Sequence, residues 1–423
     1  MRYPMLDGFR GLFLMFVMSV HLNQYLATKI WLVSPMFFGF ADAAQGFVFM
    51  SGMLAAIVYG GKLVRGTPEA MSAALRKRWL TIYKCHAGLI LMFLAAAIVL
   101  GPAGGDLLHP YAEHPIAFTL ASLALLTCSH DMGILAMYLY FIAATPFVLT
   151  WFHRGAAIPV LVASLLIWLA GQLMLASAAA DTASAEAARL GYAFSFELGF
   201  NLLGWQIMYV MGLYIGYRLV TDPIDLSFLR HRQFETTFYI CLAATLLLFI
   251  VRQLNLHDWP NEAFAAQFKE VMHRRNVSVV HLIAFLMDLF MLTWLVQIAA
   301  RGEKPGLRRV GQFIEWLFTR RALTVLGQNS LQVFAWHLLV LYAVILLVGD
   351  QHIGERRGTI IILAAVLSLY IPAYLNAAVS KWRKRGTVEA AALPVWARRR
   401  RRTSETSRSR DGDVSVPASA SAG

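Results

Sequence analysis

Ten apolar runs, each long enough to cross a bilayer, dominate the sequence. They fall near residues 9–28, 36–60, 83–101, 132–151, 157–178, 203–220, 236–254, 279–300, 324–348 and 359–380. A transmembrane helix needs about 17–25 mostly apolar residues. Only 14% of the residues are charged, whereas soluble domains carry about 25%. The sequence therefore predicts an all-α polytopic membrane protein with about ten transmembrane helices.

The basic residues predict how these helices are oriented. A weaker run near 116–128 is too short to span and is expected in a loop or re-entrant segment. With ten spans, most of the 37 Lys and Arg residues lie on the side that holds both termini. Because basic loops face the cytoplasm, both the N- and C-termini are predicted to be cytoplasmic. Residues 1–380 would form the membrane domain, and 381–423 a basic, disordered cytoplasmic tail that contacts anionic lipid.

Composition excludes several other classes of protein. The net charge of +13 lies in loops rather than in a folded basic module, so no nucleic-acid partner is expected. Three scattered cysteines give no disulfide framework. A zinc site in the loop that carries His109, His114, His130 and Asp131 fits no strong ligand spacing, and a solvated loop is preferred. The loop at 252–278, with Trp259, could instead contribute to an acceptor site.

The first span carries the strongest indication of chemistry. Arg10 and His21 are 11 positions apart, about three helical turns, and their side chains fall within about 20° of each other. Asp7 lies on the same face, one turn before Arg10. Ionisable side chains inside a membrane are costly and usually mark a functional path, and histidine can act as a base at neutral pH. A helix-end arginine with a satisfied interior histidine is the structural alternative.

Three further polar patches interrupt the spans and are expected to bind substrate. The candidates are Asp42, Gln45, Ser51, Asn201, Trp205, Gln206, His281, Asn329 and His337. Helix packing at Gly46 and Gly52, and hydrogen bonds between helices, are the alternative explanation. Asp288 in the eighth span should have a partner.

A basic cluster precedes the third span. It consists of Arg76, Arg78, Lys84 and His86, together with Lys77. Arginine side chains match the geometry of phosphate groups, so this cluster could receive a phosphate-bearing cytosolic donor such as an acyl-CoA. A positive-inside bias explains the same residues without a ligand.

Taken in order, these motifs resemble the acyltransferase-3 superfamily, and most closely its OpgC branch. The similar segments are Leu6–Gly11 with His21, Asp42–Gly52, Arg76–His86, Phe200–Gln206, His281 and Leu326–His337. The resemblance covers about residues 1–380. The chain departs from the family pattern at Gln45, where glutamate is frequent, and at Asp288.

The resemblance implies a function and a set of roles. OpgC proteins are bacterial inner-membrane enzymes that add succinyl groups to osmoregulated periplasmic glucans, with a cytosolic acyl-CoA as donor. By position, His21 would be the catalytic histidine, Arg10 would hold the donor, and Asp7 would orient them. The expected partners are the bilayer, succinyl-CoA or acetyl-CoA, and a glucan acceptor. No permanently bound cofactor or metal is implied, and protein partners are not indicated.

The expected mechanism uses His21 as a general base toward a sugar hydroxyl. Gln206, Asn329 or His337 would stabilise the oxyanion. Direct transfer and transfer through an acyl-histidine both remain open.

Two other classes of function remain as alternatives. One is a transporter or flippase of an anionic or lipid-linked solute, which is disfavoured because the two halves show no repeat. The other is a non-catalytic scaffold, which would not need the aligned Arg10 and His21.

Overall fold

The computed structural model describes residues 3–33, 39–129, 131–173, 175–192, 194–222, 225–256, 274–348 and 353–379. These residues form helices joined by turns and loops, with no strand among them, which confirms the all-α class. The helices are α1 Pro4–Leu26, α2 Ala43–Arg65, α3 Pro68–Leu100, α4 Gly105–Glu113, α5 Pro115–Leu123, α6 Gly133–His153, α7 Ala157–Gln172, α8 Leu175–Arg189, α9 Leu202–Thr221, α10 Arg232–Leu256, α11 Val279–Gln297, α12 Pro305–Phe318, α13 Arg321–Gln328, α14 Ser330–Val348 and α15 Glu355–Ser368.

In the described part of the chain, eight helices are long and apolar enough to cross a membrane. The number is nine if the bent pair Ala157–Gln172 and Ser177–Arg189 makes one span. The sequence predicts ten. Against nine, the difference is α9, which has 20 residues but carries Gln206, Arg218 and several tyrosines that make it less apolar. Against eight, the predicted span 157–178 is also absent, because α7 ends at Gln172. The weak run near 116–128 lies outside the spans, as predicted, because α4 and α5 have nine residues each.

Two helix boundaries differ from the prediction. Helix α3 has 33 residues, or about 50 Å, so it is longer than a bilayer core and contains the basic run Arg76–Arg78 in its first half. The predicted span 324–348 is divided at Asn329, where α13 ends and α14 begins.

Glycines bring α1 close to α13. A Cβ atom added to Gly327 would lie 1.8 Å from the Asp7 carbonyl oxygen, and one added to Gly11 would lie 2.1 Å from the Leu323 carbonyl oxygen. Small residues permit such backbone approach, which is the main source of packing energy between helices in lipid. This interface fixes one face of α1, and the rest of the helix packs on α2, α14 and α15.

A second glycine interface joins α2 to α9. A Cβ atom on Gly52 would lie 2.2 Å from the Tyr209 carbonyl oxygen, and one on Gly212 would lie 2.1 Å from that of Phe49. The structure therefore supports the packing explanation for Gly52. The Cβ position at Gly46 would instead meet the ring of Phe13.

The chain divides into two compact units, Met1–Ala373 and Tyr374–Gly423. Only residues 374–379 of the second unit are described. The predicted tail at 381–423 lies outside the described residues.

Candidate active site

Helix α1 holds His21 near one end and Arg10 nearer the other. The helix begins at Pro4, where the missing N–H of proline costs nothing. It ends at Ala27, whose left-handed backbone (φ 46°) lets its N–H bond to the Asn23 carbonyl oxygen. The 11 residues between Arg10 and His21 separate them by about 16 Å along the axis.

His21 contacts two polar side chains from other parts of the chain. Its Nδ1 lies 3.0 Å from Nε2 of His337 on α14 and 3.5 Å from Oδ1 of Asp131, which precedes α6. The His21 and Asp131 side chains are 17% and 11% exposed, and His337 is buried. The structure thus brings the predicted His21 and His337 together and adds Asp131 to them.

The hydrogen bonds of His337 assign the proton on His21. Nδ1 of His337 lies 3.2 Å from the Phe334 carbonyl oxygen, which can only accept, so this nitrogen carries the proton. In a neutral imidazole the other nitrogen is then an acceptor, and a buried imidazolium would be costly. His21 Nδ1 therefore carries a proton and faces two acceptors, Nε2 of His337 and the Asp131 carboxylate. The basic lone pair of neutral His21 is on Nε2.

Asp131 is held in an uncommon backbone conformation. Its φ is 65°, in the left-handed region where aspartate is tolerated better than most residues. Sequence reasoning assigned Asp131 to a solvated loop and missed this contact. The available signal was its position directly before the fourth apolar run, where an acidic side chain lies at the end of a span.

A cavity with about 510 Å³ of empty space opens beside His21. Phe16, Val17, Val20 and His21 line it from α1, and the other lining residues are Asp42, Ala43, Ala44, Asp131, Ile134, Phe200 and Arg274. The walls are mainly apolar, and the ionisable groups are a histidine, two carboxylates and one arginine. We call this the His21 cavity.

Asp42 and Arg274 form an ion pair in the wall of the His21 cavity. Nε of Arg274 donates to Oδ2 of Asp42 at 2.5 Å. The Asp42 side chain is 2% exposed and that of Arg274 is 40% exposed. Asp42 also caps α2 by accepting from the Gln45 N–H, and Gln45 Oε1 accepts from the Asp42 N–H. This reciprocal capping box satisfies two donors at the helix start.

A second cavity borders Arg10 and has about 440 Å³ of empty space, which includes its opening to the surroundings. Its lining residues are Arg10, Phe47, Val48, Ser51, Arg78, Ile134, Leu135, Tyr138, Ser330, Leu331 and Phe334. Ile134 lines both cavities, so the two spaces are neighbours along α6. We call this the Arg10 cavity.

The guanidinium group of Arg10 has capacity for a further partner. Its Nη2 donates to the Ser330 hydroxyl, and its Cζ lies 5.7 Å from the centroid of the Phe47 ring. Its Nε is buried and makes no hydrogen bond in the described part of the protein. Because an unsatisfied buried donor costs free energy, an anionic oxygen in the cavity would be stabilised here.

Two predicted residues, Gln45 and His281, tie helices together instead of lining a cavity. The side-chain amide of Gln45 completes the capping box and also donates to the His281 carbonyl oxygen at 3.4 Å. His281 Nδ1 is 2.8 Å from the Ser278 hydroxyl. Both residues are buried.

The predicted patch before α9 is also structural. Asn201 caps α9 and donates to the Gly171 carbonyl oxygen. Trp205 is fully buried, and its Nε1 donates to the Arg275 carbonyl oxygen. Gln206 exchanges hydrogen bonds with Ser164 of α7. These three side chains dock α9, while Phe200 is the member of this motif that reaches the His21 cavity.

The expected oxyanion donors have other partners. The Gln206 amide is bonded to Ser164, the Asn329 amide donates to the Val325 carbonyl oxygen at 2.7 Å, and His337 bonds His21. Neither amide lines the His21 cavity. Asp7 lies within electrostatic range of Arg10, and its carbonyl packs on Gly327 without lining either cavity.

Of the four candidate residues in the basic cluster, one lines the Arg10 cavity and three do not. Arg78 lines the Arg10 cavity, whereas Arg76 and Lys84 are exposed. His86 is fully buried, with Nε2 3.3 Å from the Ser122 carbonyl oxygen. The structure therefore retains Arg78 as the donor-site candidate from α3.

The described residues contain no group of three His, Cys, Asp or Glu side chains that could hold a metal ion. His130, Asp258, Trp259 and Glu262 lie outside the described residues. Asp288 on α11 is within electrostatic range of Cys241 on α10. Outside the spans, burial is the largest effect on Cys128 and raises the pKa of its thiol to about 12, so it stays protonated and is a poor nucleophile.

The fold and the site define a helical multi-pass membrane protein with a pair of contacting histidines, one of which lines a cavity. The sequence model of the OpgC protein family matches residues 2–384. The chain therefore belongs to the OpgC family, whose members are generally acyltransferases. Neither a curated protein nor a solved structure matches the chain.

Proposed function

We propose that this protein is an O-acyltransferase that moves a succinyl group from a cytosolic acyl-CoA to a hydroxyl of a periplasmic glucan or related glycan. The observation that carries the proposal is the arrangement at His21. Its Nδ1 faces Asp131 and His337, its Nε2 holds the basic lone pair, and it lines a cavity next to that of Arg10. Family membership supports the acyl-transfer chemistry.

The proposed orientation follows from the charge distribution. The positive-inside bias of the loops supports cytosolic termini, and the family resemblance supports a location in the bacterial inner membrane. Arg10, six residues after Pro4, then lies toward the cytosolic side, and His21 lies toward the periplasmic side. An acyl-CoA would enter the Arg10 cavity from the cytosol, while a glycan would reach the His21 cavity from the other side.

The proposed reaction is a direct displacement at the thioester. His21 Nε2 removes the proton from the sugar hydroxyl while that oxygen forms a bond to the thioester carbonyl carbon. The carbon–sulfur bond then breaks, and the leaving thiolate takes the proton back from the imidazolium. The products are the acylated glycan and CoA with a free thiol. Asp131 stabilises the transient positive charge and, with His337, holds the ring in one tautomer.

The donor site would use Arg10 and Arg78. Both line one cavity, and guanidinium groups pair well with the phosphates of CoA. Acetyl-CoA would use the same contacts, so this site does not by itself select the acyl group. The acyl-CoA is a substrate that dissociates after each turnover.

Replacing Arg78 with glutamine should weaken donor binding. We expect the KM for acyl-CoA to rise about tenfold because a charge-assisted hydrogen bond of about 1.5 kcal/mol is lost. Steady-state kinetics in proteoliposomes would measure the change. Arg76→Gln is the matched control because it removes the same charge from an exposed position on the same helix. Equal effects of the two substitutions would contradict the assignment of Arg78 to the donor site.

Replacing Asp131 with asparagine should slow the chemical step without affecting donor binding. The amide cannot stabilise the imidazolium, so we expect kcat to fall about 10²-fold or more with little change in the KM for acyl-CoA. Asp131→Glu should restore part of kcat. Asp106→Asn, an exposed position in α4, is the control. A rise in KM with kcat unchanged would show that Asp131 binds substrate and does not position His21.

The function can be tested with purified protein in proteoliposomes, labelled succinyl-CoA and a periplasmic glucan fraction. We expect ester-linked label on the glucan and stoichiometric release of free CoA. Release of CoA without labelled glucan would identify a different acceptor. Movement of solute across the vesicle membrane with no CoA release would favour a transporter.

A further inference from the structure

A second arginine lies near the Asp42–Arg274 ion pair. Arg252, near the end of α10, interacts electrostatically with Arg274. Its Cζ lies 5.8 Å from the centroid of the Phe40 ring, and Phe40 packs edge-on against the ring of His281. His281 interacts electrostatically with Asp42, Arg274 and Arg252. The two arginines therefore belong to one charged cluster with Asp42 and His281, of which Asp42 and Arg274 line the His21 cavity.

The charges of this cluster do not balance. Arg252 and Arg274 are always protonated. In the described part of the chain Asp42 pairs with Arg274, and Arg252 has no carboxylate within ion-pair distance. Asp42 is already engaged by Nε of Arg274 and by the N–H of Gln45. Two like charges near each other and partly removed from water are unfavourable unless a counter-ion joins them. Among the described residues, the two arginines thus share one directly paired carboxylate, and an additional negative charge would complete the cluster.

The unused donors of the cluster show where that charge would bind. Nε of Arg252 is buried and has no hydrogen-bond partner among the described residues. Arg274 uses Nε for Asp42, which leaves its two Nη groups for a ligand, and its side chain is 40% exposed in the cavity wall. A planar carboxylate accepts two parallel N–H bonds from a guanidinium group. The site is thus matched to a carboxylate or a similar oxyanion.

We propose that Arg252 and Arg274 form a subsite for a carboxylate of the substrate, which rests on the proposed acyl transfer. Arg274 and His21 line the same cavity, so a dicarboxylic acyl group would place its free carboxylate on the arginines and its thioester carbon near His21 Nε2. Without that carboxylate, Arg252 has no counter-ion among the described residues, whereas Arg274 keeps Asp42. The subsite therefore selects dicarboxylic over neutral acyl groups of the same length. An anionic substituent on the glycan would present the same kind of negatively charged group to the two arginines.

The test compares succinyl-CoA with butyryl-CoA, which has four acyl carbons but no carboxylate, in the intact protein and in Arg252→Gln. We expect the ratio of kcat/KM for succinyl-CoA to that for butyryl-CoA to fall about tenfold or more in the variant. Arg252→Lys should keep part of the preference. Arg275→Gln is the matched control because it removes an arginine beside Arg274 whose side chain pairs with Glu197 and is 68% exposed. It should leave the ratio unchanged.

The same proteins are assayed with a neutral glucan and with one that carries phosphoglycerol groups. An unchanged donor ratio together with a collapsed preference for the anionic glucan would assign the subsite to the acceptor. If Arg252→Gln changes neither the preference for succinyl-CoA over butyryl-CoA nor the preference for the anionic glucan, the proposal is overturned. Arg252→Gln could also disturb α10, so elution as a single monodisperse species and the same melting temperature as the intact protein without succinate would identify a folded variant.

A binding measurement separates this proposal from the proposed function. Succinate, but not butyrate, should raise the melting temperature of the intact protein in detergent, and Arg252→Gln should abolish that shift. If no acyl group is transferred yet succinate stabilises only proteins that keep Arg252, the subsite stands and the acyl-transfer function falls. Stabilisation of both proteins alike would overturn the subsite.

Discussion

Replacing His21 with alanine should reduce acyl transfer by about 10²- to 10⁴-fold, the usual contribution of a general base. The substitution removes the Nε2 lone pair and also the partner of His337 and Asp131. Transfer through an acyl-histidine would be lost as well, because the same nitrogen would carry the acyl group. The measurement is the initial rate of labelled glycan formation in membranes that contain equal amounts of protein.

The matched control is His109→Ala. His109 is 64% exposed and pairs with Glu113 within α4, so its loss should leave the rate unchanged. Full activity of His21→Ala at equal expression would remove His21 from the mechanism and would make the non-catalytic scaffold the better explanation.

Replacing Gly327 with alanine should destabilise the membrane domain more than most single substitutions. The added methyl would lie 1.8 Å from the Asp7 carbonyl oxygen, and this neighbour is backbone that cannot rotate away. Helices α1 and α13 would have to separate, which we expect to cost about 1–3 kcal/mol, as overpacking does in well-packed cores. The remaining fraction of monodisperse protein after heating in detergent would report the loss.

Gly88→Ala provides the control for this prediction. Gly88 lies in α3, and an added Cβ atom there would meet nothing within 4 Å. Because alanine favours helix more than glycine does, this variant should be as stable as the intact protein or more stable. Similar heat stability of Gly327→Ala and the intact protein would contradict the close approach of α1 and α13.

Much of the fold could be predicted because a bilayer constrains a chain strongly. Each span must be helical to satisfy its own backbone hydrogen bonds, so long apolar runs give the helices directly. Boundaries were less predictable. The apolar runs did not include the start of α3 at Pro68, where Thr67 accepts from the Ala70 N–H, or the break of the ninth span at Asn329, whose amide donates to the Val325 carbonyl oxygen.

The site was predicted in part. The shared helical face of Arg10 and His21 follows from the period of the helix. His337 was a candidate site residue because it lies in a polar patch of the ninth span. Gln45, Asn201, Trp205 and Gln206 also lie in polar patches, but the structure shows their side chains bonded within the protein framework. A polar group in a span needs a partner in any case, and sequence alone does not distinguish a packing partner from a ligand.

The sequence by itself determined that this chain is a helical membrane protein and that α1 presents an arginine and a histidine on one face, because hydropathy and helical period are local properties. Only the tertiary structure decided that Asp131, His337 and Arg274 meet that helix around a cavity. Those residues are 110 to 316 positions from His21 along the chain. Their approach depends on glycine contacts between helices, and contacts of that kind are set by packing in three dimensions.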